Sequence, residues 1–121
     1  MRIAVIEDER PIREGLVHIL NKISPEYQVV GSAENGREGL ILLEEQDPDL
    51  ILLDMIMPLL SGMDTARELR QHDPHVPIIF LTSSPEFALE SYEVRTFWYL
   101  LKPLDLVQSF GDNRLGCLRT L

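Results

Sequence analysis

The stretch DLILLDMIMP, residues 49–58, decides the fold. Four consecutive apolar residues, 50–53, are followed at once by Asp54 and, four positions later, by Pro58. A run this short and this uniformly apolar is typical of a strand buried on both faces, as the strands of parallel sheets are. The end of such a strand lies at the edge where open α/β sheets bind ligands. The stretch therefore predicts a parallel sheet with a carboxylate at its ligand-binding edge.

Four further short apolar runs occur along the chain, and segments with helical periodicity separate them. The expected strands are residues 3–6, 27–30, 50–53, 77–81 and 97–101, and the second is expected to stop at Gly31. The expected helices are residues 11–23, 36–46, 61–73 and 85–92, with Ser61 as the N-cap of the third. This alternation predicts an α/β fold, a doubly wound five-stranded parallel sheet with helices on both faces.

The end of the chain has the weakest pattern. Gly111 and Gly116 disfavour a helix, and Asp112-Asn113 adds residues typical of turns. We therefore expect a single domain over residues 1–121, in which about residues 104–121 form an atypical last helix or tail.

Charge and composition exclude several classes of function. The 121 residues include 11 basic and 20 acidic side chains, a net charge of −9, which disfavours direct binding of nucleic acid or of anionic membranes. The single cysteine, Cys117, cannot form an internal disulfide, and no apolar run is long enough to span a bilayer. No signal peptide is apparent, so a cytoplasmic location is expected.

Polar side chains follow four of the five predicted strands. They are Glu7 and Asp8, Asp54, Thr82 and Ser83, and Lys102. Because the carboxyl ends of parallel strands meet at one edge of a sheet, these groups should converge. Clustered carboxylates repel one another unless a cation lies among them. An open pocket with few oxygen ligands suits Mg²⁺, because this ion keeps several of its waters. Together with hydroxyls and an ammonium, they describe a phosphoryl-transfer site, in which an aspartate can be the nucleophile.

Simpler interpretations remain for each group taken alone. The acidic residues after the first strand could only complement the dipole of the following helix, and residues 82–84 could only cap a helix. A phosphatase-type enzyme with an aspartate nucleophile usually carries a second aspartate two residues later, where this chain has Ile56. A flavin-binding domain would need a phosphate-binding loop after the first strand, where this chain is acidic.

Four segments in this order resemble the receiver domain of bacterial two-component response regulators, over about residues 2–104. They are IAVIEDE (3–9), DLILLDMIMP with SGM (49–58 and 61–63), PIIFLTS (77–83) and YLLKP (99–103). The resemblance implies a flavodoxin-like sheet with strand order 2-1-3-4-5. It also implies a signalling domain that catalyses its own phosphorylation and dephosphorylation, and not a turnover enzyme.

The resemblance assigns a role to each acidic residue. Asp54 would accept a phosphoryl group from a phosphohistidine on a sensor histidine kinase. Asp8 and Asp54 would bind Mg²⁺ directly, together with the backbone carbonyl of Ile56. Glu7 stands where aspartate is more usual and would contact the water shell of the ion.

The resemblance also assigns the phosphate contacts and the switch. Thr82 and Lys102 would hold the phosphoryl oxygens, and Ser83 would be a further phosphate contact. Tyr99 stands at the aromatic switch position.

Residues 85–94 are similar to receivers joined to LytTR-type DNA-binding domains, so an output domain absent from this chain is expected. A phosphorylation-dependent homodimer is expected through the face made by the fourth helix, fifth strand and fifth helix, with Trp98 at the contact. Arg95-Thr96 replaces the Gly-Ala that usually precedes the fifth strand. The main rival hypothesis is a receiver-like protein-interaction module that is not phosphorylated.

Overall fold

The computed structural model describes residues 1–82 and 94–96, and residues 98–101 as backbone. The elements in chain order are β1 (Arg2–Ile6), α1 (Arg10–Ile23), β2 (Gln28–Ala33), α2 (Gly36–Gln46), β3 (Leu50–Asp54), α3 (Gly62–His72), β4 (Ile78–Thr82) and β5 (Trp98–Leu101). Within these ranges no helix is both long enough and apolar enough to cross a membrane. The helix predicted at 85–92 and the tail predicted at 104–121 lie outside the described residues.

The five strands form one sheet in which all neighbours are parallel. Their order is β2-β1-β3-β4-β5, which confirms the expected topology. The strand order changes direction between β1 and β3. The carboxyl ends of these two strands therefore border the crevice where open α/β sheets bind ligands.

The central strands are buried on both faces, which explains their continuous apolar runs. Along β1, Ile3 and Val5 point to the face covered by α1, where Leu16 and Leu20 complete the core. Ala4 and Ile6 point to the opposite face, which α2 and α3 cover. All residues from Ile3 to Ile6 are fully buried. The prediction of helices on both faces is confirmed.

The sequence predicts that the second strand stops at Gly31, but β2 continues to Ala33. Ile3 pairs with Val29 and Ala4 with Gly31, so Val30 is an extra residue at a β-bulge. A Cβ atom on Gly31 would lie 2.5 Å from a methyl carbon of Leu42 in α2. The glycine therefore marks a close helix–strand contact at a bulge and not a strand end.

Side-chain caps fix the starts of α2 and α3. The Oδ1 atom of Asn35 accepts a hydrogen bond from the backbone N–H of Glu38 at 2.9 Å. The hydroxyl of Ser61 accepts one from the N–H of Asp64 at 3.1 Å, which confirms Ser61 as an N-cap. Because such caps satisfy backbone donors that the helix itself leaves open, they set where each helix begins.

Candidate functional site

Three carboxylates meet at the carboxyl edge of the sheet. Glu7, Asp8 and Asp54 each offer one oxygen, and these oxygens all lie within 4.8 Å of one another. Glu7 and Asp8 directly follow β1, and Asp54 ends β3. Since β1 pairs with β3 up to Ile6 and Leu53, the sheet itself brings these distant residues together. The predicted convergence of the acidic residues is confirmed.

The chemistry of this acidic cluster (Glu7, Asp8 and Asp54) suits a hard divalent cation. Glu7 is fully buried, Asp54 is 4% exposed and Asp8 is half-buried. Negative charges held this close and largely out of water repel each other unless a cation offsets them. Carboxylate oxygens are the ligands that Mg²⁺ prefers, and it keeps waters in its remaining positions. Within the described ranges, this is the one group of three or more such side chains close enough to share an ion.

Thr82 lies at the same edge, on the next strand. It is the last residue of β4 and is 1% exposed. Asp54 pairs with Leu81, so Thr82 is one residue further along the strand that neighbours Asp54. Leu101, the last residue of β5, pairs with Thr82, and Lys102 follows it in the sequence.

Three of the predicted site side chains have no described position. Ser83 and Lys102 lie outside the described residues, and Tyr99 is described only as part of the backbone of β5, opposite Phe80. Their predicted roles stay predictions. Ile56 lies in the loop after β3 with its side chain 57% exposed, and the predicted role of its carbonyl toward a metal also stays a prediction.

The sequence alone did not explain why residue 62, at the start of α3, is a glycine. Its backbone N–H donates a hydrogen bond to the carbonyl of Met55 at 2.9 Å, which holds the start of α3 against the end of β3. A Cβ atom on this residue would lie 2.0 Å from the carbonyl oxygen of Asp54. Glycine is required here because α3 approaches the backbone of the site so closely. In the sequence, Gly62 stands out as the glycine directly after the N-cap Ser61 and as part of the SGM segment (61–63).

A second missed residue is Arg13, in the first half of α1. Its Nη1 atom donates to the carbonyl oxygen of Glu7 at 2.8 Å, and it lies 3.4 Å from that of Asp8. A charged donor binds a carbonyl more strongly than a neutral donor does. The guanidinium therefore holds the backbone of the acidic turn in one orientation. A basic residue near the start of a helix interacts unfavourably with the helix dipole. This unfavourable placement was the sequence signal that Arg13 has another role.

A neighbouring ion pair on α1 contributes little to the site. The Nε atom of Arg10 lies 2.8 Å from a carboxylate oxygen of Glu14. This hydrogen bond raises the pKa of Arg10 and lowers the pKa of Glu14. Both side chains are largely exposed, so solvent screens the pair.

A cavity of about 570 Å³ lies elsewhere, between α2 and α3. Leu43 and Leu69 are among its lining residues, and none of the three clustered carboxylates is. The acidic cluster, and not this cavity, carries the groups suited to phosphoryl chemistry.

Comparison with known proteins agrees with the geometry. The family model described as "Response regulator receiver domain" matches residues 3–109. An uncharacterized response regulatory protein of Vibrio cholerae is 40% identical over 103 residues, which are 84% of this chain and 39% of that protein. The positive alginate biosynthesis regulatory protein of Pseudomonas aeruginosa is 36% identical over 104 residues, which are 86% of this chain and 42% of that protein.

A solved structure shows the same fold. The response regulatory domain of protein mrkE from Klebsiella pneumoniae superposes with a TM-score of 0.87 at 28% identity, and the match covers 100% of both chains. This chain spans about two fifths of the length of the curated relatives named above. The chain belongs to the response regulator receiver domain family, whose members are signalling domains and not turnover enzymes.

Proposed function

We propose that Asp54 accepts a phosphoryl group from a phosphohistidine of a sensor histidine kinase, with Mg²⁺ held at the acidic cluster. The observation that carries the proposal is the approach of the Glu7, Asp8 and Asp54 oxygens to within 4.8 Å of one another. The buried Thr82 at the end of the neighbouring strand supports it, since a hydroxyl there can donate to a phosphoryl oxygen.

The transfer is a single displacement at phosphorus. A carboxylate oxygen of Asp54 forms a bond to phosphorus while the bond from phosphorus to the histidine nitrogen breaks. That nitrogen keeps the electron pair of the broken bond and takes up a proton. The product is an acyl phosphate on Asp54. A bound Mg²⁺ would supply positive charge beside the transferred group and offset the repulsion between the acids and the phosphoryl oxygens.

Asp8 and Asp54 would hold the ion together with the carbonyl of Ile56, and Glu7 would act through the water shell. Thr82 and Lys102 would then stabilise the charge of the phosphoryl oxygens. A phosphoryl group adds nearly two negative charges, so binding it favours the conformation in which the hydroxyl and the ammonium face it.

We further propose that Ser83 is an additional phosphate contact and that Tyr99 turns inward when Thr82 moves toward the phosphoryl group. The surface made by the fourth helix, β5 and the fifth helix would then form a homodimer. Sedimentation with and without beryllofluoride tests this. The dimer should appear with this phosphoryl mimic and should disappear in Trp98→Ala. An equal mass in both states, or a dimer indifferent to both Trp98 and Tyr99, would exclude a dimer that phosphorylation controls.

The whole protein is proposed to be a longer transcription regulator. The matched relatives are more than twice as long as their match to this chain, and one is named as a positive regulator of alginate biosynthesis. The similarity of residues 85–94 to receivers of the LytTR type supports a DNA-binding output domain of that type. The acidic charge of this domain supports DNA binding elsewhere in the protein. Reading the parent gene past codon 121 tests this directly. The cytoplasmic location expected from the sequence remains a prediction.

Incubation with acetyl phosphate and Mg²⁺, followed by intact mass measurement, tests the central proposal. The wild-type domain should gain one phosphoryl group and Asp54→Asn none. Asp64→Asn is the matched control, because Asp64 is an exposed aspartate on α3 and should leave the gain intact. A phosphoryl gain in Asp54→Asn would contradict the assignment. No gain in the wild-type domain would favour the interaction module that is not phosphorylated.

A further inference from the structure

The last turns of α3 hold the turn that leads into β5. The Nε atom of Arg70 donates a hydrogen bond to the carbonyl oxygen of Val94 at 2.7 Å, and Nη2 donates to that of Arg95 at 3.2 Å. Nη1 donates to the carbonyl oxygen of Asp73 at 3.2 Å. One guanidinium therefore joins the end of α3 to two consecutive peptide groups just before β5.

Arg95 has a backbone conformation that side chains disfavour. Its φ of 53° lies in the left-handed region, where glycine is preferred. A non-glycine residue stays in this region when surrounding contacts hold it there. The two hydrogen bonds from Arg70 are such contacts, since they fix the carbonyls of Val94 and Arg95. The hydroxyl of Thr96 adds another, because it donates to the carbonyl of Ile78 in β4 at 2.9 Å.

The burial of Arg70 fits a structural connection better than a surface charge. Burial lowers the pKa of its guanidinium, the charge of Arg95 lowers it further, and Asp73 opposes both effects. An arginine still keeps its charge at neutral pH, and its planar fork can bind several carbonyls at once. A lysine could supply only a point charge at this position.

The other end of α3 contacts the phosphoryl-transfer site. Gly62, its first residue, is hydrogen-bonded to Met55 and lies against the carbonyl of Asp54. The 11 residues of α3 therefore connect the site at one end with the entry to β5 at the other. Strand β5 then runs back toward the site, because Leu101 pairs with Thr82.

We propose that Arg70 is a positioning residue for phosphoryl transfer: it fixes the left-handed turn at Arg95 and thereby sets β5, and Lys102 after it, relative to Asp54. The inference rests on the proposed function, because it gives Arg70 a role in placing a phosphate contact. Strand β5 has four residues and begins three positions after Arg95. An error in the turn therefore displaces the whole strand.

Two readouts test the role of Arg70. The rate of phosphorylation by acetyl phosphate should fall roughly tenfold in Arg70→Met, since a misplacement of about 1 Å far from the chemistry can cost up to a hundredfold. Hydrogen exchange at the amides of Leu100 and Leu101 should become faster in the same variant, without any phosphodonor. Arg70→Lys should be intermediate in both measurements. Arg67→Met is the matched control, because Arg67 is an exposed arginine of the same helix whose guanidinium pairs with Asp64 at 2.9 Å, and it should change neither.

A second substitution separates positioning of the turn from general support of α3. Glycine adopts the left-handed conformation without help, so Arg95→Gly added to Arg70→Met should restore both the rate and the slow exchange. Arg95→Ala also removes the charge of Arg95 but lacks this conformational freedom, and it should not restore them. A wild-type rate in Arg70→Met, or equal rescue by glycine and alanine, would overturn the inference. If the wild-type domain takes up no phosphoryl group, the proposed function fails, while glycine-specific rescue of β5 exchange still supports the placement of β5 by Arg70.

Discussion

Replacing Gly62 with alanine should push α3 away from the end of β3. The added Cβ atom would lie 2.0 Å from the carbonyl oxygen of Asp54, 2.8 Å from the Cα of Met55 and 2.9 Å from the carbonyl carbon of Asp54. An ordinary contact begins near 3.4 Å, so the start of α3 must move by about 3.4 − 2.0 = 1.4 Å. All three neighbours are backbone atoms, so no side chain can rotate to relieve the clash.

The expected loss of stability follows from two opposing effects. Overpacking a well-packed site costs about 1–3 kcal/mol, and a clash with backbone belongs near the upper value. Alanine is a better helix former than glycine by up to about 1 kcal/mol, which offsets part of that cost. The net change should be a loss of about 2 kcal/mol in the free energy of unfolding, out of a typical total of about 5–15 kcal/mol.

Urea denaturation measures this change, and Gly15→Ala provides a matched control. Gly15 lies within α1, and a Cβ atom there would have no neighbour within 4 Å. This variant should be more stable than the wild type by up to about 1 kcal/mol. Gly62→Ala should also be phosphorylated more slowly, because the displaced backbone carries Asp54. If Gly62→Ala were as stable as the wild type or as Gly15→Ala, the close approach of α3 to Asp54 would be wrong.

Three further variants examine the acidic turn and the start of α3. Asp8→Ala should lose a direct ligand and weaken Mg²⁺ binding by more than roughly tenfold, measured from amide shifts during a Mg²⁺ titration. An unchanged affinity would show that Asp8 is not a ligand. Arg13→Met should weaken the same affinity by roughly tenfold, because the carbonyls of the acidic turn lose their charged donor, and an affinity equal to wild type would contradict this supporting role. Ser61→Ala should lower the free energy of unfolding, measured in urea, by about 1 kcal/mol through loss of the hydrogen bond to Asp64. If the free energy of Mg²⁺ binding fell by more than the free energy of unfolding, Ser61 would do more than cap α3.

The sequence alone determined the class of fold and the place of the acidic cluster. The short apolar runs predicted buried parallel strands, because only a strand covered on both faces is apolar at every position. The prediction that Asp8 and Asp54 converge then followed from the rule that parallel strands end at one edge of the sheet. The strand order came from the resemblance carried by the ordered motifs, since local periodicity does not specify which strands are neighbours.

The tertiary structure alone decided the contacts that adjust this framework. Gly31 looked like a strand end, yet it lies at a bulge beneath Leu42. Gly62 gave no sign of its approach to Asp54, and the contact between Arg70 and the carbonyls before β5 joins residues 24 and 25 positions apart. The hydrophobic pattern and the helical period are properties of one segment and can be read along the chain. A close approach or a hydrogen bond between distant segments depends on how two elements pack, and that geometry exists only in the folded molecule.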